Sequence, residues 1–262
     1  MTVARWERLT ALVELVLNTG AVAGVRRESL ILCGPPGHGK SALLERWGAN
    51  VAVRVYTDTT LTDLLSCARD AQNGQLTHVI FPELQKLLMR RSAVGDQALG
   101  FLAAAMEEGV KRVSLGPITH DFRSAQFGAL GAITPDALSF FGQRLRHIGL
   151  FSRGLWLPWE MDTGELAAVS DAIRDGDQSA LTPCEVNHAG RPRVPVRLSR
   201  SLAATVQKLS QAIFPFDVRF QKQLAGLCMA SAVREDRGEV AALDVEYVAS
   251  FADFFRQARR DR

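Results

Sequence analysis

Cysteine is scarce and scattered in this chain: Cys33, Cys67, Cys184 and Cys228 stand far apart and form no C-x-x-C pair. That spacing excludes a disulfide-stapled scaffold, and Cys184 with His188 lacks the two further ligands a tetrahedral zinc site needs. The cysteines read as reduced core residues of an intracellular protein. A long apolar run is also missing, with none of about 18 residues to span a bilayer. Trp6, Leu9, Leu12, Val13 and Val16 recur at helical spacing, but Arg5, Glu7, Arg8 and Glu14 interrupt them. This is the pattern of an amphipathic helix and not of a secretion signal, so cytoplasm is the expected compartment, with no membrane contact. An excess of one charge is lacking as well. The 31 basic and 28 acidic residues leave +3, so a nucleic-acid footprint has to be local. No internal repeat or low-complexity tract is visible. With 262 residues, 47% of them apolar, the chain can bury the core of one large α/β domain with a smaller satellite.

One stretch carries chemistry: Glu28 to Trp47, ESLILCGPPGHGKSALLERW. Ser29 to Cys33 reads as a short buried strand, and Ala42 to Trp47 as the start of a helix. Between them, Gly34, Pro35, Pro36, Gly37, His38, Gly39, Lys40 and Ser41 match G-x-x-x-x-G-K-[ST] without a mismatch. The glycines let backbone N–H groups turn inward around a polyphosphate, and the helix entered at Ala42 adds its own N–H groups. Lys40 is expected on the β- and γ-phosphates of ATP and Ser41 on Mg²⁺. His38, at a variable position of the motif, is expected to face solvent without a catalytic role.

Other elements follow by pattern. Residues 1–19 read as a leading helix, and Val51 to Tyr56 as a second strand. Thr57 to Thr60 offer N-caps for a helix over Leu61–Ala71. Leu76 to Phe81 is a further strand, ended by Pro82-Glu83. In P-loop ATPases the corresponding strand ends in Asp-Glu, the Asp serving Mg²⁺ and the Glu polarising the attacking water; here Pro82 takes the first place and Glu83 keeps the second. A carboxylate complementing the dipole of the next helix is the plainer role for Glu83. Asp96 to Gly109 reads as a helix, and Val110 to Arg123 as a hairpin or an extended excursion. Phe127 to Thr134 is a strand ending in a hydroxyl, followed by a helix from Pro135 to His147. Arg153 immediately precedes a last strand ending at Pro158. Beyond about residue 160 the pattern turns helical: Thr163 to Ile173, a loop-rich joint from Asp175 to Pro192, a short extended piece over Val194–Leu198, then helices near Ser199–Ile213, Asp217–Arg234 and Asp244–Arg259. The division expected is a lead-in (1–27), an α/β core (28–160) and a mainly helical lid (161–262).

These features together resemble an AAA+ P-loop ATPase, and within that class the branch of the minichromosome maintenance helicases. The phosphate loop, Glu83 after a later strand and Thr134 ending the next follow the AAA+ plan over residues 28–158. Val110 to Arg123 looks like that branch's hairpin before its sensor strand, Leu150-Phe151-Ser152-Arg153 like its L-S-R-F sequence, and Asp217 to Leu224 like its helix with a sensor arginine. The resemblance implies a three-layer core with a C-terminal helical lid, binding and hydrolysing ATP with Mg²⁺. It implies a ring or helical homo-oligomer, a hexamer by the family's habit, and a place in DNA replication or remodelling, with a viral or mobile-element setting in keeping with the compact core. Arg153 would reach a neighbour's γ-phosphate, Arg219 would sense the γ-phosphate from the lid, and Thr134 would orient water. Lys111, Arg112 and Arg123 would face DNA. Each has a plainer counterpart: a surface arginine, a helix-surface ion pair, a strand-end hydroxyl and a solvated loop. Pro82 and Thr134, where the branch has Asp and Asn, depart from its pattern. The alternatives implied are a remodeller of proteins of the MoxR type and a nucleotide-dependent scaffold with weak hydrolysis.

Overall fold

The computed structural model describes residues 2–90, 93–115, 117–175, 182–186 and 192–260. Its centre is a five-stranded, wholly parallel sheet. The strands are β2 (Leu30–Cys33), β3 (Val53–Val55), β4 (His78–Phe81), β7 (Gly128–Ile133) and β8 (Leu155–Pro158), in the order β3-β4-β7-β2-β8. Strand residues alternate between two hydrophobic cores, as the period-two pleat requires. Leu30, Leu32, Ile80, Leu130, Ala132, Leu155 and Leu157 face one core; Ile31, Val79, Phe81, Ala129, Ile133 and Trp156 face the other. Apart from the edge strand β3, these strands are largely buried on both sides and show no alternation of polar residues, so the sequence presents them as short apolar runs.

Helices cover both faces. One face carries α3 (Leu61–Gln72), α4 (Leu84–Met89), α5 (Ala93–Ala105) and α6 (Pro135–His147), whose apolar residues build the second core. Thr60 starts α3 with a capping box in which its hydroxyl and Asp63 serve each other's backbone N–H. The opposite face carries α1 (Thr2–Asn18), the short α2 (Lys40–Glu45), α8 (Arg200–Ile213), α9 (Val218–Arg234), α10 (Ala242–Ala249) and α11 (Ala252–Arg260). Leu9, Leu12 and Val16 of α1, Leu224 and Leu227 of α9, and Phe254 and Phe255 of α11 belong to one core with the sheet. The turn to helical sequence at residue 160 is therefore a change of element type within a continuous core. α7 (Thr163–Arg174) packs beside α1, with Leu166 against the first core, and a two-stranded parallel pair, β1 (Val22–Ala23) with β9 (Val194–Pro195), ties the lead-in to the segment before α8.

The segment after α5 is an antiparallel hairpin, β5 (Val110–Leu115) with β6 (Ile118–Ala125). Of the joint expected over 175–192, residues 176–181 and 187–191, His188 among them, lie outside the described residues, as do Arg91 and Arg262 and the side chains of Arg259 and Arg260. The last helix expected, Asp244–Arg259, is two: the Ser250 hydroxyl donates to the Tyr247 carbonyl at 2.6 Å and the chain turns there, burying Phe251. Val51 is 88% exposed and lies ahead of β3, so the alternating run at 51–55 overstated that edge strand. Among the described residues no helix is long and apolar enough to cross a membrane.

His78 opens β4 wholly buried, and its Nε2 donates to the Glu28 carbonyl at 3.1 Å. Burial pushes the imidazole down to about 3 from the ordinary 6.5. A folded pKa below the unfolded one means that the unfolded chain takes up a proton first as acid is added, so stability present above pH 6.5 is lost as the pH falls toward 3. By pH 5 this residue alone accounts for a loss of about 2 kcal/mol, at 1.36 kcal/mol per unit. Urea denaturation between pH 7 and pH 5 should show that fall in the wild type, and His78→Gln, less stable at pH 7, should show a flatter acid limb.

Candidate phosphate-binding site

Parallel pairing carries the ends of β2, β4, β7 and β8 to one edge of the sheet, and the glycine loop closes over it. The Gly34 N–H donates to the Ile133 carbonyl at 3.2 Å, and the Trp159 N–H donates to the Cys33 carbonyl at 2.6 Å. The crossing is so close that a Cβ on Gly34 would stand 1.6 Å from the Trp159 carbonyl oxygen. Gly37 and Gly39 have φ of +81° and +72°, left-handed values that the bend of the loop requires, and nothing lies within 4 Å of a Cβ built on Gly37. The loop has therefore an open side and a clamped side.

On the clamped side, the Trp159 indole Nε1 donates to the His38 carbonyl at 2.9 Å, and the Met161 N–H donates to His38 Nδ1 at 2.9 Å. His38 does not face solvent as expected; it is half-buried and fastens the loop to the chain leaving β8. The Trp6 ring and the Met161 methyl approach Gly39, and Trp6 leans on Trp159 with centroids 6.1 Å apart. Inside the loop, Lys40 is buried, and its Nζ donates to the Gly34 and Pro35 carbonyls at 2.6 Å each; desolvation lowers its pKa. Its ammonium is thus held against the first turn of the glycine loop. A cavity of about 670 Å³ lies behind the clamping segment, walled by Arg5, Pro158, residues 160–163 and Gln257, with no residue of the glycine loop in its lining.

Of the other residues singled out in the sequence, three stand at this edge. The Ser41 hydroxyl donates to the Pro82 carbonyl at 2.8 Å, so the end of β4 abuts the loop at Pro82. Glu83, next along, is 43% exposed at its side chain and forms a 2.9 Å ion pair with Lys86 one turn on. Thr134 follows β7 and caps α6, its Oγ1 accepting from the Ala137 N–H at 3.3 Å. Among the described residues no group of three His, Cys, Asp or Glu could hold a metal ion. A hard cation here would depend on the Ser41 hydroxyl and on oxygens brought by a ligand.

Arg153 and Arg219 lie at the other end. Arg153 precedes β8, whose first N–H, on Leu155, bonds the Ser29 carbonyl, so it sits ahead of the start of β2, with the whole strand, about 13 Å, between it and the glycine loop. Arg219 joins it there, its Nη1 donating to Ser152 Oγ at 2.7 Å, and both arginines meet Glu107. Arg219 is thus no neighbour of this chain's own loop, because α9 starts beside the residues that lead into β8. The hairpin stands at this end too, laid along α3: the Arg123 N–H donates to Gln72 Oε1 at 2.9 Å, and Arg69 contacts His120 at 3.1 Å. Lys111, Arg112 and Arg123 are exposed, but Arg112 is held by Asp121 at 2.5 Å across the strands, and the pair offsets in charge.

Trp159, Met161 and Trp6 escaped the sequence reading, although Trp-Glu-Met directly after a strand-ending Pro158 was a visible apolar excess. Glu107 had no signal, since its partners lie 46 and 112 residues on. No family model matches the chain, and no curated protein matches it. Gly34→Ala forces its methyl into a backbone carbonyl, and such overpacking should cost about 3 kcal/mol or more in urea denaturation, whereas Gly37→Ala, with open space and only a left-handed φ to bear, should cost about 1–2 kcal/mol.

Proposed function

We propose that the chain binds and hydrolyses ATP with Mg²⁺ as an AAA+ type ATPase, working as a ring or helical homo-oligomer on DNA. The observation that carries the reading is the loop itself: a full G-x-x-x-x-G-K-S motif between a buried parallel strand and a helix, with Lys40 held at the inward face and Ser41 against the end of β4. Bound Mg²⁺ supplies charge neutralisation on phosphate oxygens. The residues present fit that role, with the Ser41 hydroxyl as the protein's ligand and Lys40 as the fixed cation.

Glu83 is the carboxylate nearest the loop in sequence order after β4, and it serves as the base that polarises water once it leaves Lys86. Thr134, one residue beyond the strand that pairs with β2, orients that water. The far position of Arg153 and Arg219 supports an oligomer, because arginines at the opposite edge of the sheet serve a second copy's phosphates and not their own. Lys111 and Arg123 are the hairpin cations left for a DNA backbone once Arg112 is paired with Asp121.

A second reading is favoured by a particular observation. Pro82 offers only its carbonyl to Ser41, and Glu83 is engaged by Lys86, an arrangement suited to a nucleotide-dependent scaffold with weak hydrolysis. Steady-state turnover separates the two. On the ATPase reading Glu83→Gln should lower kcat by roughly 100-fold or more while ATP still binds, and single-stranded DNA should raise wild-type turnover. Turnover that is negligible in the wild type and rises sharply in Pro82→Asp would favour the scaffold; turnover indifferent to DNA would favour a protein as the polymer acted on.

A further inference from the structure

At the sheet edge away from the glycine loop, five charged side chains meet, four of them mostly buried and Arg219 47% exposed. Arg26 Nε donates to both oxygens of Glu28, at 2.9 and 3.1 Å, and the Glu28 side chain is wholly buried. Glu107, 17% exposed, lies 3.9 Å from Arg26 Nη1. Arg219 grips Glu107 through Nε at 2.8 Å and Nη2 at 3.3 Å, and Arg153 Nε stands 3.0 Å from its other side. Three guanidinium groups face two carboxylates, which leaves the cluster one negative charge short. The hydrogen bonding shows the same shortage: Arg26 Nη2 and Arg153 Nε are buried without a hydrogen bond, the latter close to Glu107 but not aligned on it. Buried guanidinium N–H groups of this kind are satisfied by a further anion with several acceptor oxygens.

The place of Glu107 in the chain joins this cluster to the hairpin. It lies between α5 and β5; its N–H bonds the Ala104 carbonyl at 3.3 Å, and its own carbonyl accepts from Gln126 Nε2, at the junction of β6 and β7. Next to it, the Glu108 carbonyl accepts from Ser124 Oγ at 3.3 Å. One carboxylate thus connects both roots of the hairpin with the arginine ahead of β8 and with the first turn of α9.

We propose that Glu107 is the resident counter-ion of Arg153 and Arg219, and that a phosphate of the nucleotide on a second copy of this chain displaces it, so that the root of the β5–β6 hairpin registers the neighbour's nucleotide. The inference rests on the ATPase reading and adds a positioning residue which that reading does not use. A carboxylate and a phosphate take the same fork of guanidinium N–H groups, so they compete for it directly. Removing the charge of Glu107 while keeping its shape should make the exchange easier.

Sedimentation velocity over a range of protein concentrations, with and without Mg·ATP, tests this on wild type, Glu107→Gln and Glu107→Gln with Arg153→Ala, with ATP binding followed by equilibrium dialysis. The expected result is an assembly midpoint in ATP about 5-fold lower for Glu107→Gln than for wild type, unchanged ATP binding per chain, and loss of the ATP-driven gain in the double variant. Glu107→Asp, which keeps the charge but draws it back from Arg219, should shift the midpoint the same way by less, and serves if the Gln variant melts early. A midpoint unchanged or raised in these variants, with wild type binding ATP and assembling, overturns the role of Glu107 and leaves the ATPase reading standing. Wild type that binds ATP but does not assemble overturns the exchange alone, and wild type that binds no ATP overturns both.

Discussion

The structure depends on the contact between Gly34 and the Trp159 carbonyl. β2 runs between β7 and β8, and where it ends the chain leaving β8 crosses it with no space for a side chain. Everything at that edge follows from the crossing. It allows Trp159 to reach the His38 carbonyl and Met161 to reach the His38 ring, so the glycine loop is braced from behind while its Gly37 side stays open. A loop braced on one face and open on the other is held in one arrangement, which on the reading proposed above would lower the ordering cost of binding a flexible polyphosphate.

The two edges of the sheet are chemically distinct. One gathers a glycine loop, a buried lysine and a serine hydroxyl; the other gathers three arginines, two glutamates and the hairpin. The length of the parallel strands keeps the two apart within one chain. On the homo-oligomer reading proposed above, a head-to-tail contact would set one copy's arginine edge against the next copy's loop edge. The continuous core from α1 through α11 gives such a unit a stiff body, in which a change at Glu107 is passed to the hairpin by direct covalent neighbours.

Much of this was legible in the sequence, for stated reasons. The strand, glycine loop and helix order around residues 30–45 is local, and α6 announces itself with a Thr134 cap and Pro135 at its start. The hairpin is local too, bounded by Gly109 at φ +77° and a bulge at its root. Where the sequence misled, tertiary packing decided. Val51 alternates like a strand residue yet is exposed, because β3 is an edge strand and gains burial on one side only. The kink at Ser250 comes from a hydroxyl bonding back to a carbonyl, with no Gly or Pro to mark it. Arg153, Arg219 and Glu107 are far apart along the chain, and by residue type alone each reads as an ordinary charged surface residue; only the fold shows the three side chains meeting in one ion-pair cluster.

The central claim is that the glycine loop holds a nucleotide through Lys40. Isothermal titration of Mg·ATP into the wild type and into Lys40→Ala tests it most directly. One ATP bound per wild-type chain, with affinity lowered at least about 100-fold in Lys40→Ala, in line with loss of a buried charge-assisted contact, is the predicted result. Equal affinity of the two proteins, or no heat from either with both folded, would contradict it.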